Sequence, residues 1–265
     1  MPCYTPFQRK DVIGHPTIPC GNCPDCILRR TNGWAFRLEK ELAIASSASW
    51  PTLTYSDQNV PITDHGLLSL RKTDLQAFFK RLRKLNLPGI KYFAVGEYGK
   101  ETLRPHYHVI LMNAKIETIQ PAWQQGEVKY GEVSPASIRY TLKYMQKHYK
   151  SRRPTDGRQP EFQLMSKGIG KSYLSEAIIK WHKADPTGRL YIADYDKKIA
   201  MPRYYKEKIF NEHEKSCQKI HFQNKADTDE KLLLQDPNYD QLFRNRETAV
   251  LAAFQTMHKN QNKKI

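Results

Sequence analysis

The sequence predicts a mixed α+β fold, and three observations carry that reading. Residues 91–97 and 107–112 are short apolar runs rich in strand formers, and the stretch between them holds Gly99 and Pro105, so the chain can turn back as a hairpin. Residues 50–55 alternate apolar and polar like a half-buried strand. Residues 29–48, 73–85 and 134–149 instead repeat their apolar side chains at helical spacing.

A chain of 265 residues can bury a sizeable core, and one catalytic domain with extensions is expected rather than two equal domains. Lysine and arginine number 43 against 27 acidic residues, a formal charge of +16, and 15 tyrosines accompany them. That excess suits a polyanionic partner, and the aromatics can stack on unpaired bases. Composition alone would fit a ribosomal or chromatin protein equally well. The start, Met1-Pro-Cys-Tyr-Thr-Pro, lacks the apolar core of an export signal, and no apolar run is long enough to span a bilayer. The expectation is a soluble cytoplasmic protein with no membrane partner.

In chain order, Cys3, Cys20, Cys23 and Cys26 crowd the first tenth of the sequence while Cys217 stands far away. An odd count without an export signal argues against a disulfide framework. The doubled C-x-x-C of Cys20, Cys23 and Cys26, with Gly21 and Pro24 between, can wrap a soft ion, and Cys3 or His15 could complete a tetrahedral zinc site. Its spacing departs from a two-plus-two zinc ribbon, so zinc and reduced structural thiols both remain open. Trp34, Leu38, Leu42 and Ala45 mark the core-facing side of the first helix. Strand 50–55 ends at the turn formers Ser56-Asp57-Gln58-Asn59. Thr73 and Gln76 suggest a capping box for a helix whose stripe is Leu75, Phe78, Phe79, Leu82 and Leu85. Its cations are read as a solvated face.

The hairpin carries the first chemical motif. Period-two alternation puts His106, His108, Ile110 and Met112 on one face of a strand, with Tyr107, Val109 and Leu111 on the other. Two imidazoles so placed can share one divalent ion, and in the simplest pairing Glu97 lies beside His106 as a third ligand. Residues 123–133 are expected to add a strand pair around Gly126 and Gly131. Ser134-Pro135 then opens a helix as N-cap and first-turn proline. On its wheel Ile138, Leu142, Met145 and Tyr149 share one side, and Tyr140, Lys143, Tyr144 and Lys147 the other.

Further on, 151–158 reads as an exposed basic loop. Gly168-Ile169-Gly170-Lys171-Ser172 resembles the end of a phosphate-binding loop, but Met165 stands where that pattern needs glycine, so no ATP site is expected. Residues 173–183 read as helix, 190–193 as a short strand, and 239–257 as an amphipathic helix in a highly charged tail.

A tyrosine phenol is a weak nucleophile at neutral pH, and its attack on a phosphodiester needs help. A divalent ion on Glu97, His106 and His108 can polarise the phosphate, and Lys143 or Lys147 can stabilise the phenolate. Because the bond energy stays in the phosphotyrosyl link, rejoining needs no ATP.

The combination of Thr52-Leu53-Thr54, Glu97 with His106-Tyr107-His108, and Tyr140-x-x-Lys143-Tyr144-x-x-Lys147 resembles the HUH endonucleases, specifically the rolling-circle replication initiators of microviruses. The Pro19-Cys20-Gly21-x-Cys23-x-x-Cys26 pattern, the stretch from Met165-Ser166 to Gly168-Ile169-Gly170, and Pro202-Arg203-Tyr204-Tyr205 resemble the gokushovirus branch. The likeness runs over about residues 3–206. It implies a central antiparallel sheet with the two-histidine strand in the middle and helices packed on it. The chain is expected to divide into a Cys-rich segment and helix at 1–48, a nicking domain at 49–206 and a charged, partly helical extension at 207–265, which the resemblance leaves unexplained. Magnesium or manganese would be the cofactor. Single-stranded and origin DNA would be bound, with Arg104, Arg139, Arg152 and Arg153 as candidate contacts, and a host helicase and polymerase would act alongside in the host cytoplasm. Rival readings are a plasmid-type initiator or two-tyrosine transposase, and a non-catalytic zinc-containing DNA-binding regulator.

Overall fold

The computed structural model describes residues 3–8, 17–147, 156–194 and 197–262, and of 17, 144–147, 194 and 257–262 only the backbone. The chain divides into two compact units, residues 34–172 and residues 1–33 together with 173–265. The α+β class with an antiparallel sheet is borne out.

In unit 34–172 the strands are β3 (Ala48–Ser49), β4 (Thr52–Thr54), β5 (Lys91–Tyr98), β6 (Pro105–Met112), β7 (Val128–Lys129) and β8 (Phe162–Met165); β1 (Phe7–Gln8) and β2 (Thr17–Ile18) belong to the other unit. They pair antiparallel in the order β7-β4-β6-β5-β8, with β3 also on β6. The two-histidine strand β6 is therefore central. Its alternation gives each face its own core. Tyr107, Val109 and Leu111 pack with Leu75, Phe78, Phe79 and Leu82 of α2 (Lys72–Lys84) and with α3 (Ile119–Ala122). Ile110 and Met112 pack with Ile138 and Leu142 of α4 (Pro135–Lys147) and with Leu38 from α1 (Pro24–Leu42).

The β5–β6 hairpin closes where the Gly99 amide donates to the Arg104 carbonyl at 2.9 Å. The expected serine cap of α4 is present, since Ser134 Oγ accepts from the Ser137 amide at 3.1 Å. The capping box at Thr73 and Gln76 is not. Helix α2 starts two residues earlier than that cap implies, behind Arg71, with no side-chain cap. Its first amides are held from afar, Arg71 N–H by Tyr107 Oη at 3.0 Å and Lys72 N–H by Gln159 Oε1 at 2.8 Å. Leu85 falls at the C-cap and is exposed rather than in the stripe.

The expected strand pair at 123–133 reduces to β7. Trp123 is buried in the first core and donates Nε1–H to the Thr54 carbonyl at 2.8 Å, so its segment turns inward instead of extending. Gly126 serves close approach: a Cβ there would lie 2.3 Å from the Thr54 carbonyl oxygen. At 168–170 the Gly170 amide donates to Glu41 Oε2 at 2.7 Å, so that turn is tied to α1.

The other unit holds β1 (Phe7–Gln8) paired with β2 (Thr17–Ile18), the first part of α1, α5 (Glu176–Ala184), the β9 (Tyr191–Asp194) and β10 (Lys197–Ala200) hairpin, α6 (Arg203–Ile209), α7 (Glu212–Leu234) and α8 (Tyr239–Asn262). Helix α5 starts at Glu176, three residues later than its periodicity suggested, behind Ser175, whose side chain caps it. Helix α7 was not legible because it is polar on nearly every side. A reciprocal Asn211–Glu214 capping box and Lys225–Asp229 pairing support it locally. No helix among the described residues is long and apolar enough to cross a membrane.

Candidate active site

The register of β4, β5 and β6 builds the site. Glu97 stands opposite His106, Thr54 lies on the other side of His106, and Thr52 stands opposite His108. Directly paired residues point to the same face, so these side chains converge on the face that packs Ile110 and Met112 farther along. The strand face thus passes from core to chemistry within two residues.

His106 Nε2 lies 2.8 Å and His108 Nε2 3.1 Å from Glu97 Oε1. The three side chains are 20%, 9% and 4% exposed for His106, His108 and Glu97, and their ligand atoms lie within 4.8 Å of one another. His106 Nδ1 donates to the Arg104 carbonyl at 3.1 Å, and His108 Nδ1 contacts Thr52 Oγ1 at 2.9 Å. A neutral His106 holding its proton on Nδ1 presents the Nε2 lone pair inward, the tautomer a metal ligand needs. Two imidazoles and a carboxylate form a mixed nitrogen–oxygen donor set suited to a divalent ion with open positions for phosphate oxygens.

The electrostatics agree. Burial alone would raise the Glu97 carboxyl, but hydrogen bonds from His106 and His108 outweigh it and hold the group below its ordinary value. Burial alone would lower His106, and the hydrogen bond to Glu97 outweighs that, raising it. Without metal, the Glu97 contribution to stability is present above its unfolded value and lost as pH falls through its lowered folded value. The His106 contribution is present below its unfolded value and lost as pH rises through its raised folded value. The ion pair is therefore strongest between those two folded values.

Metal must displace the His106 proton. Manganese affinity should rise about tenfold per pH unit below the His106 value and level off above it. Calorimetric titration across a pH series checks this, and a pH-independent affinity would contradict it.

Around the triad, the Trp50 ring stacks on His108 at 5.4 Å and 19°. The Tyr140 ring meets His108 edge-on at 5.3 Å and Trp50 at 5.6 Å. Trp50 Nε1–H donates to Thr141 Oγ1 at 3.0 Å, which locks the tryptophan to α4. Tyr140, which the helical wheel places opposite the aliphatic stripe, is half-buried and packs against the second core. Lys143 is half-buried and Arg139 exposed on the same helix. For Tyr144 and Lys147 the side chains fall outside the described residues, as do His15, Arg152 and Arg153 altogether.

Tyr107, between the histidines, faces the opposite core. Its hydroxyl contacts Tyr55 Oη at 2.7 Å, and burial pushes it up to about 12, so it serves as an anchor and not as a nucleophile. Gly96, its cross-strand partner, leaves the ring its space: a Cβ there would sit 3.1 Å from Tyr107.

A groove of about 680 Å³ opens beside His106, walled by Thr54, Arg104, Glu127 and Lys129. Arg104 is braced across it by Asp57 at 2.7 Å and by the Tyr55 carbonyl at 2.7 Å. Sequence reasoning missed Trp50, Thr141 and Lys129. The period-two spacing of Trp50, Thr52 and Thr54 was the available signal for the first.

Comparison with known proteins bears on this geometry. Residues 48–149, the span from β3 to the end of the tyrosine helix, match the family described as replication-associated protein ORF2/G2P. The chain is 29% identical over 234 residues to replication-associated protein ORF2 of Spiroplasma virus 4, covering 77% of this chain and 71% of that one. It is 26% identical to replication-associated protein VP4 of Bdellovibrio phage phiMH2K, covering 72% of this chain and 66% of the relative. The chain is thus similar to the microvirus-type replication-associated proteins. A third relative, replication-associated protein ORF4 of Chlamydia phage 1, is 24% identical over 72% of this chain and 53% of its own. The resemblance drawn from the motifs is thereby borne out. No solved structure matches it.

Proposed function

We propose that this replication-associated protein initiates rolling-circle replication of a small viral genome by nicking one DNA strand through tyrosine transesterification. The observation that supports it most is Tyr140 set edge-on against His108, beside the convergent Glu97, His106 and His108. A divalent ion held by those three ligands would supply Lewis-acid polarisation of the scissile phosphate.

The chain's own groups account for the rest. The Tyr140 oxygen attacks phosphorus, its proton leaves, the bond to the 3′ oxygen breaks and that oxygen takes up a proton. A 5′-phosphotyrosyl bond and a free 3′-hydroxyl result, so the link conserves the energy needed for rejoining. Lys143 and Lys147 stabilise phenolate and orient phosphate. Tyr144, one helical turn from Tyr140, attacks in the following cycle while the first link is held. The Trp50–Thr141 hydrogen bond keeps the tyrosine helix in register with β6. Arg104 and Lys129 line the groove along which the single strand reaches the site. Strand separation and synthesis fall to a host helicase and polymerase.

The test is to incubate the protein with end-labelled single-stranded fragments of its own genome, with manganese or with chelator. A metal-dependent, SDS-resistant adduct is expected. Salt-sensitive binding to every fragment with no adduct, in folded and metal-loaded protein, would overturn the nickase in favour of a DNA-binding regulator.

A further inference from the structure

The cysteine cluster lies in the unit that does not carry the triad, and the nicking reaction makes no use of it. The Sγ atoms of Cys3, Cys20, Cys23 and Cys26 all lie within 4.8 Å of one another, and Cys23 is fully buried. Cys23 Sγ and Cys3 Sγ are 3.8 Å apart. A disulfide requires about 2.05 Å. Four sulfurs each about 2.3 Å from a central zinc are separated by about 3.8 Å along a tetrahedral edge. The observed spacing therefore matches a shared ion and excludes a bond.

Backbone amides point at the sulfurs as well. Cys20 N–H donates to Cys3 Sγ at 3.2 Å, and Asn22 N–H and Cys23 N–H donate to Cys20 Sγ at 3.4 and 3.2 Å. This wrapping depends on Gly21, whose φ of 75° lies in the left-handed region. Amides aimed at sulfur favour thiolate, the form that binds metal. The tight turn leads into α1, and Cys26 sits in its first turn, where the helix N-terminus favours negative charge. Arg29 and Arg30 follow Cys26 within about one turn of the same helix.

We propose that Cys3, Cys20, Cys23 and Cys26 hold one structural zinc ion that staples the N-terminal hairpin to the start of α1. Strands β1 and β2 have two residues each, too few to hold themselves together. Closed four-thiolate coordination supplies folding energy that so small an element cannot draw from a core. Tyr4, next to a ligand, packs on Phe254 of α8 at 6.1 Å, so the staple also secures this end of the unit against the C-terminal helix. The site is independent of the nicking reading.

The test measures bound metal and reactive thiols on full-length protein produced with zinc and then desalted. One zinc per chain is expected in the wild type, in Cys217→Ser and in the His106→Ala/His108→Ala variant. It should be lost in Cys20→Ser/Cys23→Ser, with the N-terminal segment becoming protease-sensitive. Should the double serine variant fail to fold, cobalt loading of the wild type gives a thiolate-to-cobalt charge-transfer band, and Cys26→His should retain the metal with a shifted spectrum. Folded protein with no bound zinc and four freely reacting thiols would overturn the proposal. So would zinc that follows the histidine pair instead of the cysteines, or iron in place of zinc.

Discussion

Changing both Tyr140 and Tyr144 to phenylalanine is expected to abolish the covalent DNA adduct, a loss of at least about 10⁴-fold, while each single variant keeps it within about tenfold. Residues four apart on a helix share one face, so either tyrosine can serve. Tyr140 lies against His108, and a residue four positions later on α4 is displaced by one turn along the same side. Phenylalanine preserves the ring contact with Trp50 at 5.6 Å, so the loss reports the hydroxyl and not the packing. The measurement is gel-resolved adduct on end-labelled single-stranded DNA, with DNA binding followed in parallel. If Tyr140→Phe alone removed all adduct and Tyr144→Phe none, the two-tyrosine cycle would be wrong and a single nucleophile would replace it.

Glu97→Gln carries the second large effect. The amide keeps the shape of the carboxylate but removes its charge from a site where both imidazoles converge on Oε1. Manganese affinity should fall, and metal-dependent cleavage should drop about 10³-fold or more, with DNA affinity nearly unchanged because other cationic side chains supply it. Metal-free stability should fall too, by no more than about 3 kcal/mol. Breaking a buried ion pair costs about that much, but His106 can shed its proton and escape part of the penalty. Urea unfolding below the His106 pKa measures this cost, and the cost should shrink at higher pH, where the imidazole is already neutral. Unchanged cleavage in Glu97→Gln would remove Glu97 from the metal site.

Much of this was legible in the sequence because it depends on periodicity. Alternation by itself put His106 and His108 on one side and Tyr107 on the other, and the hairpin between Glu97 and His106 pairs them in the simplest register. The helical wheel put Ile138 and Leu142 on the buried side, because a pitch of 3.6 residues leaves little choice, but Tyr140 also packs against that core.

Long-range contacts were not legible. The first turn of α2 is capped by Tyr107 and Gln159, residues distant in the chain, so the local capping signal at Thr73 misled. Trp123 turned inward to reach the Thr54 carbonyl, which shortened an expected strand pair to β7. Trp50 read as an ordinary strand residue, yet tertiary packing lays it on His108 and ties it to Thr141.

The sequence by itself determined which residues are chemically competent and which face of its strand or helix each must take, since backbone geometry sets those periods locally. Only the tertiary structure decided that Thr52 holds the second imidazole, that Tyr140 is packed against the histidines, and that Cys3 joins the other three thiols. Those are meetings between segments far apart in the chain, and they are selected by the burial of shared surface, which no local pattern records.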